Sequence, residues 1–199
     1  MSWSQYHLDY QKQSEGKILQ KAFIKKQELD MIFSRVELQT NSDELKIAVL
    51  GCGDVRLIRH HREIFHDLFN KEIDLVTMDV TTEHLVGEAG VKKHDCILPL
   101  PGGPFDLIYG HVLLKFIETD KQYNVLINAY QALKSGGVAV QVIDREEIGG
   151  EGKQFETGYW PVPLDKWREK LAQEKIMTEL IELEYGVGLV FKKKLINNN

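Results

Sequence analysis

The feature that most constrains this chain is an alternation. Short apolar runs, several of them rich in β-branched residues, end in glycine or aspartate, and stretches with helical spacing fall between them. The run 45–50 stops at Gly51, the run 73–78 at Asp79 and the run 138–143 at Asp144. Apolar runs of this length, bounded by turn signals, read as strands buried on both faces. Parallel neighbours need a crossover of about a dozen residues, which the intervening stretches can supply. Ile58, Phe65, Leu68 and Phe69 share one helical face after the first strand. Tyr123, Leu126, Ile127, Tyr130 and Leu133 share another, closed by Ser135-Gly136-Gly137. Residues 94–98 and 105–109 supply the expected third and fourth strands. The pattern predicts a three-layer α/β fold around a mostly parallel sheet.

Both ends depart from the alternation. Leu164, Trp167 and Leu171 predict a last helix, and 177–185 and 187–193 then read as strands with Gly186 between them. No crossover fits there, so the pair must be an antiparallel hairpin. At the other end Ile18, Leu19, Ala22, Phe23, Leu29, Ile32, Phe33 and Val36 predict one amphipathic helix over 14–39. The domain plan is a helical extension over 1–44, able to serve as a lid, and a sheet domain over 45–199. The Gly-rich, charged segment 145–163 carries Phe155, Tyr159 and Trp160 and reads as a functional loop.

Composition narrows the partners. The net charge of −5 argues against a nucleic-acid surface, and the apolar runs are too short to span a membrane. Two cysteines do not make a disulfide framework, and residues 1–13 lack the apolar core of a secretory signal. A cytoplasmic location is the expectation.

Gly51-Cys52-Gly53 ends the first strand, where open α/β sheets bind ligands. Glycine there lets the backbone approach a ligand closely. No P-loop is present, and Arg56 replaces the last glycine of a dinucleotide fingerprint. A nucleoside without a pyrophosphate remains. Asp79, at the end of the second strand, can accept ribose hydroxyls, and Asp95 can accept an adenine amine. His60, His61 and His66 lack the spacing of a zinc helix, so no metal is expected.

Five segments carry a resemblance. Ala48-Val49-Leu50-Gly51-Cys52-Gly53-Asp54 resembles the first motif of the class I S-adenosylmethionine-dependent methyltransferases, and residues 75–79 resemble the second. Residues 94–101, 105–117 and 132–137 are similar to the adenine-contacting stretch, the fourth strand with its following helix start, and the turn before the fifth strand. The hairpin matches the family's reversed seventh strand. The resemblance covers about residues 45–193. It implies a seven-stranded Rossmann-like sheet with S-adenosylmethionine as cofactor. By that resemblance Gly51, Cys52 and Gly53 face its methionine and ribose, Asp79 binds the ribose, and Val80, Asp95 and Cys96 meet the adenine. Gly110 and His111 would lie near the sulfonium. The implied activity is in-line methyl transfer to a small-molecule acceptor. His111 is the candidate base, and Tyr6, Tyr10, Tyr159 and Trp160 are candidate pocket walls.

Tyr109-Gly110-His111-Val112 differs from the Asn/Asp-Pro-Pro-Tyr/Phe of enzymes that methylate DNA adenines or glutamine amides. Val49 stands where the family usually has an acid, and Val55 where it has a third glycine. These departures keep open a cofactor-binding regulator without catalysis. A nicotinamide oxidoreductase is disfavoured by Arg56 and by the hairpin.

Overall fold

The computed structural model describes residues 3–40, 42–150 and 152–195, with side chains from His7 onward. Seven strands form one sheet: β1 (Glu44–Leu50), β2 (Glu72–Asp79), β3 (Val91–Lys93), β4 (Phe105–His111), β5 (Leu133–Asp144), β6 (Thr178–Glu182) and β7 (Gly186–Lys192). Their order is β3-β2-β1-β4-β5-β7-β6. β1 to β5 run parallel, and β7 lies antiparallel between β5 and β6. The alternating pleat sends Ile47 and Val49 into one apolar cluster and Ala48 and Leu50 into the other. Helices α2 (Glu15–Phe33) and α3 (Val55–Phe69) cover the first face. Helices α4 (Thr119–Gln131) and α5 (Leu164–Gln173) cover the second. This is the expected three-layer, Rossmann-like arrangement with its antiparallel C-terminal hairpin.

Local chemistry explains where the elements begin and end. Asp54 caps α3 by accepting from the Arg56 amide, and left-handed Asn70 (φ 51°) closes it. The expected single helix over 14–39 is present as α2 but ends early, and a separate helix precedes it. Helix α1 (Trp3–Gln11) comes first, and Ser14 then caps α2, which stops at Phe33 where the Ser34 hydroxyl bonds the Met31 carbonyl. β3 precedes its expected position. Residues 94–98 instead turn around Asp95, whose side chain accepts from the Ile97 amide. β4 runs on through Gly110 and His111, which end the strand instead of following it. Ser135-Gly136-Gly137 lies inside β5 at a shift of register, with Gly136 at φ +80°. At the C-terminal side of the sheet β7 is interior and β6 is the edge. Lys193 Nζ donates to the carbonyls of Gln131 and Leu133 at 2.9 Å, satisfying the end of α4. Among the described residues, no helix is long and apolar enough to cross a membrane.

Candidate active site

A cavity of about 830 Å³ lies across the carboxyl ends of β1, β2, β4 and β5, within the range of small-ligand pockets. One end is built around the glycine turn. Gly51 adopts φ +76°, and a Cβ there would stand 2.9 Å from Leu113 Cδ1. The buried Asp79 carboxylate accepts from the Cys52 amide at 2.9 Å and from the Thr81 amide at 3.0 Å. It ties the end of β2 to the turn after β1. Each carboxylate oxygen keeps a second lone pair for a ligand hydroxyl. The Cys52 thiol lies against the Asp54 carbonyl at 3.2 Å. Burial pushes the Cys52 and Cys96 thiols each up to about 12, so both stay protonated.

Helix α1 packs over this end. The His7 ring stacks on His84 at 3.7 Å and 12°. Burial and the neighbouring His84 lower the His7 pKa. The Tyr10 ring covers the turn so closely that a Cβ on Gly53 would meet it at 3.2 Å. Among the described residues His7, Asp79 and His84 bring three possible ligand atoms within 4.8 Å of one another, a trio that sequence spacing did not suggest. One nitrogen of each ring is already engaged, His84 Nε2 with the Cys52 carbonyl and His7 Nδ1 with the Thr81 hydroxyl. The trio is a hydrogen-bonded cradle.

The opposite end sits over the end of β4. His111 Nε2 meets Glu28 Oε2 of α2 at 2.9 Å. Burial, reinforced by the field of Lys25, holds the His111 pKa well below its ordinary value, and burial raises that of Glu28. Lys25, one turn before Glu28, is only 7% exposed. Burial pushes its pKa down to about 7. Its Nζ makes no hydrogen bond or ion pair among the described residues and stands 5.9 Å from the Tyr109 ring centre. His61 of α3 is 2% exposed, and neither ring nitrogen has a partner among the described residues. Lys115 binds Asp144 at 2.9 Å and Glu147 at 3.3 Å. Burial works against its charge, but the hydrogen bond and field of Asp144, with Glu147, raise its pKa. Its Nζ also lies 4.4 Å from the Tyr159 ring centre.

The cavity brings together Gly51, Cys52, Gly53, Asp79, Val80, Asp95 and Cys96 from the expected cofactor set. It also takes in His111 and three expected wall residues, Tyr10, Tyr159 and Trp160. Gly110 stands behind the wall, where a Cβ would fall 2.1 Å from Gln141 Oε1. Tyr6 lies on α1, and its side chain falls outside the described residues. Arg56 does not disturb the turn. It forms a two-point pair with Asp54 and also reaches Glu15 and the Gln13 carbonyl, fastening α2 to the glycine turn. Sequence reading missed Lys25, Glu28 and His61. For Lys25 a signal existed, because Ile18, Ala22, Leu29, Ile32 and Val36 make a heptad seam that passes through it.

No family model and no curated protein matches the chain by sequence. Solved structures match by shape. An S-adenosylmethionine-dependent methyltransferase from Clostridium acetobutylicum superposes with a TM-score of 0.59 at 12% identity, covering 87% of this chain and 92% of that one. The N-methyltransferase NodS from Bradyrhizobium japonicum, solved with S-adenosyl-L-homocysteine, gives 0.55 at 14% identity over 84% of each chain. An O-methyltransferase family protein from Burkholderia thailandensis gives 0.59 at 10% identity, with 85% of this chain spanning 56% of its length. The strand order, the reversed β7 and these superpositions agree: the chain has the fold of the class I S-adenosylmethionine-dependent methyltransferases.

Proposed function

We propose that the chain transfers the methyl group of S-adenosylmethionine to a small-molecule acceptor. The observation that carries this reading is the continuity of one cavity, from the Asp79 and glycine-turn end to the His111–Glu28 end. Its residues suit the cofactor. The turn at Asp95 and Cys96, with Val80, offers an adenine wall, Asp79 offers acceptors for ribose hydroxyls, and Gly51–Gly53 offers bare backbone beside the methionine portion. NodS bound to S-adenosyl-L-homocysteine and DhpI bound to S-adenosylmethionine are neighbours of the same fold.

The cofactor supplies an electrophilic methyl on a cationic sulfur, so the protein mainly has to align the acceptor and exclude water. Tyr10, Tyr159 and Trp160 wall the cavity. Helix α1 acts as a cover through His7 and Tyr10. His111 takes the acceptor's proton where one must leave. Glu28 holds Nε2 and orients the ring. Its lowered pKa keeps the ring unprotonated at neutral pH.

One observation favours a second reading, a cofactor-binding regulator. Val49 is buried in the apolar core, so the family's acidic contact is missing. Calorimetric titration with S-adenosylmethionine, S-adenosylhomocysteine and NAD separates the readings. Binding of the first two with turnover of an acceptor supports the transferase, binding without turnover across a broad acceptor panel supports the regulator, and NAD binding alone overturns both. Asp79→Ala is expected to weaken S-adenosylhomocysteine by ~1–3 kcal/mol. An unchanged affinity would remove the ribose assignment.

A further inference from the structure

Two side chains in the cavity wall lack what buried polar groups require. Lys25 and His61 are each more than nine-tenths buried, and neither finds a hydrogen-bond or ion-pair partner among the described residues. Unpaired buried nitrogens such as those of His61 are costly and call for an explanation, and Lys25, which also lines the cavity, has no protein partner for its charge among the described residues. The surrounding acids are engaged elsewhere. Glu28 bonds His111, Asp144 bonds Lys115, and the Cys52 thiol is protonated. The nearest further cation is Lys21, whose Nζ lies over the Tyr10 ring at 3.7 Å. The strongest charge felt by Lys25 is the Glu28 carboxylate, which favours the ammonium form. Lys25 couples electrostatically to His111 at the end of β4 and to Asp144 at the end of β5. Those ends lie on the far side of β1 from the Asp95 turn and Asp79.

We propose that Lys25 and His61 form an anion-binding point for the acceptor, which carries an anionic oxygen of the carboxylate or phenolate kind. The assignment to an acceptor rests on the methyl-transfer reading, whereas the anion point itself rests on the two side chains. Lys25 supplies charge and donors, and His61 a further donor, on the side of the cavity where His111 waits. The anion anchors the acceptor there and excludes neutral analogues.

The test uses the full chain with benzoate and its neutral counterpart benzamide as probes, titrated with and without saturating S-adenosylhomocysteine. Benzoate is expected to bind at least about tenfold more tightly than benzamide. Lys25→Met should erase that preference while S-adenosylhomocysteine affinity stays within about threefold. Lys25→Gln serves as the second variant, and circular dichroism confirms that each folds. His61→Phe should reduce the preference without abolishing it. Equal affinity for the two probes, no benzoate binding, or a preference that survives Lys25→Met overturns the proposal. So does a Lys25→Met chain that loses S-adenosylhomocysteine and keeps benzoate, since the cation would then serve the cofactor. An unsubstituted chain that prefers benzoate but binds no S-adenosylhomocysteine would keep the anion point and overturn the methyl-transfer reading.

Discussion

Lys25 shows how a single residue can sit against its surroundings. It occupies the inward seam of α2, yet carries an ionisable head into a site that strips its water. Its pKa falls from an ordinary 10.5 to about 7 in the folded chain. Between those values the unfolded chain binds more protons than the folded one, so stability rises with pH across that window. Lys25→Met removes the cost, and replacing a poorly paired buried charge by an apolar side chain stabilises by ~1–4 kcal/mol. The gain should be largest below about pH 7 and fade toward pH 10, as read by urea denaturation of both proteins across that range. A gain independent of pH would mean that Lys25 keeps its ordinary pKa and its charge when folded. At this scale the sequence was half legible. Gly51, Asp79 and Asp95 stand at strand ends, where position alone suggests a role. Lys25 and His61 fall on the apolar stripes of their helices, where periodicity marks burial and not chemistry, and Glu28 lies beside the α2 stripe. Leu19 and Phe23, read as part of the buried stripe, are in fact exposed.

Elements in this fold are held by side chains that satisfy several backbone groups at once. Gln122 of α4 is fully buried and its amide donates to the carbonyls of Leu114, Ile117 and Pro161. Its oxygen accepts from the Trp167 indole of α5 at 3.0 Å. Gln122→Leu would take a partner from all four and leave the Ile117 carbonyl and the Trp167 indole without one, while the Leu114 and Pro161 carbonyls keep the Ile117 amide and the Thr119 hydroxyl. It should cost at least ~1–3 kcal/mol, the penalty for one buried unsatisfied group, measured by chemical denaturation. Trp167→Phe removes a single partner, so it should cost less. Equal losses in the two variants would show that packing, and not the hydrogen bonds, sets the value. Element types were readable from periodicity, and their ends were not. β4 continues to His111 because it keeps pairing with β5, and β3 stops at Lys93 because Asp95 begins a turn. Pairing partners distant in sequence leave no local mark.

Across the whole molecule the reversed C-terminal hairpin was the most legible feature, because Gly186 leaves no room for a crossover. Helix α1 was the least legible. It has nine residues and little amphipathicity, and it is placed by His7 and Tyr10 against residues far along the chain. Tyr10→Ala should open the wall beside Gly53 and quicken S-adenosylhomocysteine release by about tenfold, seen by stopped flow, with an unchanged far-ultraviolet spectrum. An unaltered release rate would show that α1 does not cover the cofactor. The loop after β5 has a different consequence. Its roots are clasped: Ile148 bridges Val162, Pro161's carbonyl accepts from Thr119 at 2.9 Å and from Gln122, and the Trp160 amide reaches Lys115's carbonyl at 2.8 Å. Between those clasps the stretch 152–158 can change in sequence without shifting a strand, while Tyr159 rests against Phe116 and Lys115. The scaffold thus carries a graftable cassette beside the cavity, and exchanging it would redraw one wall of that cavity without rebuilding the sheet.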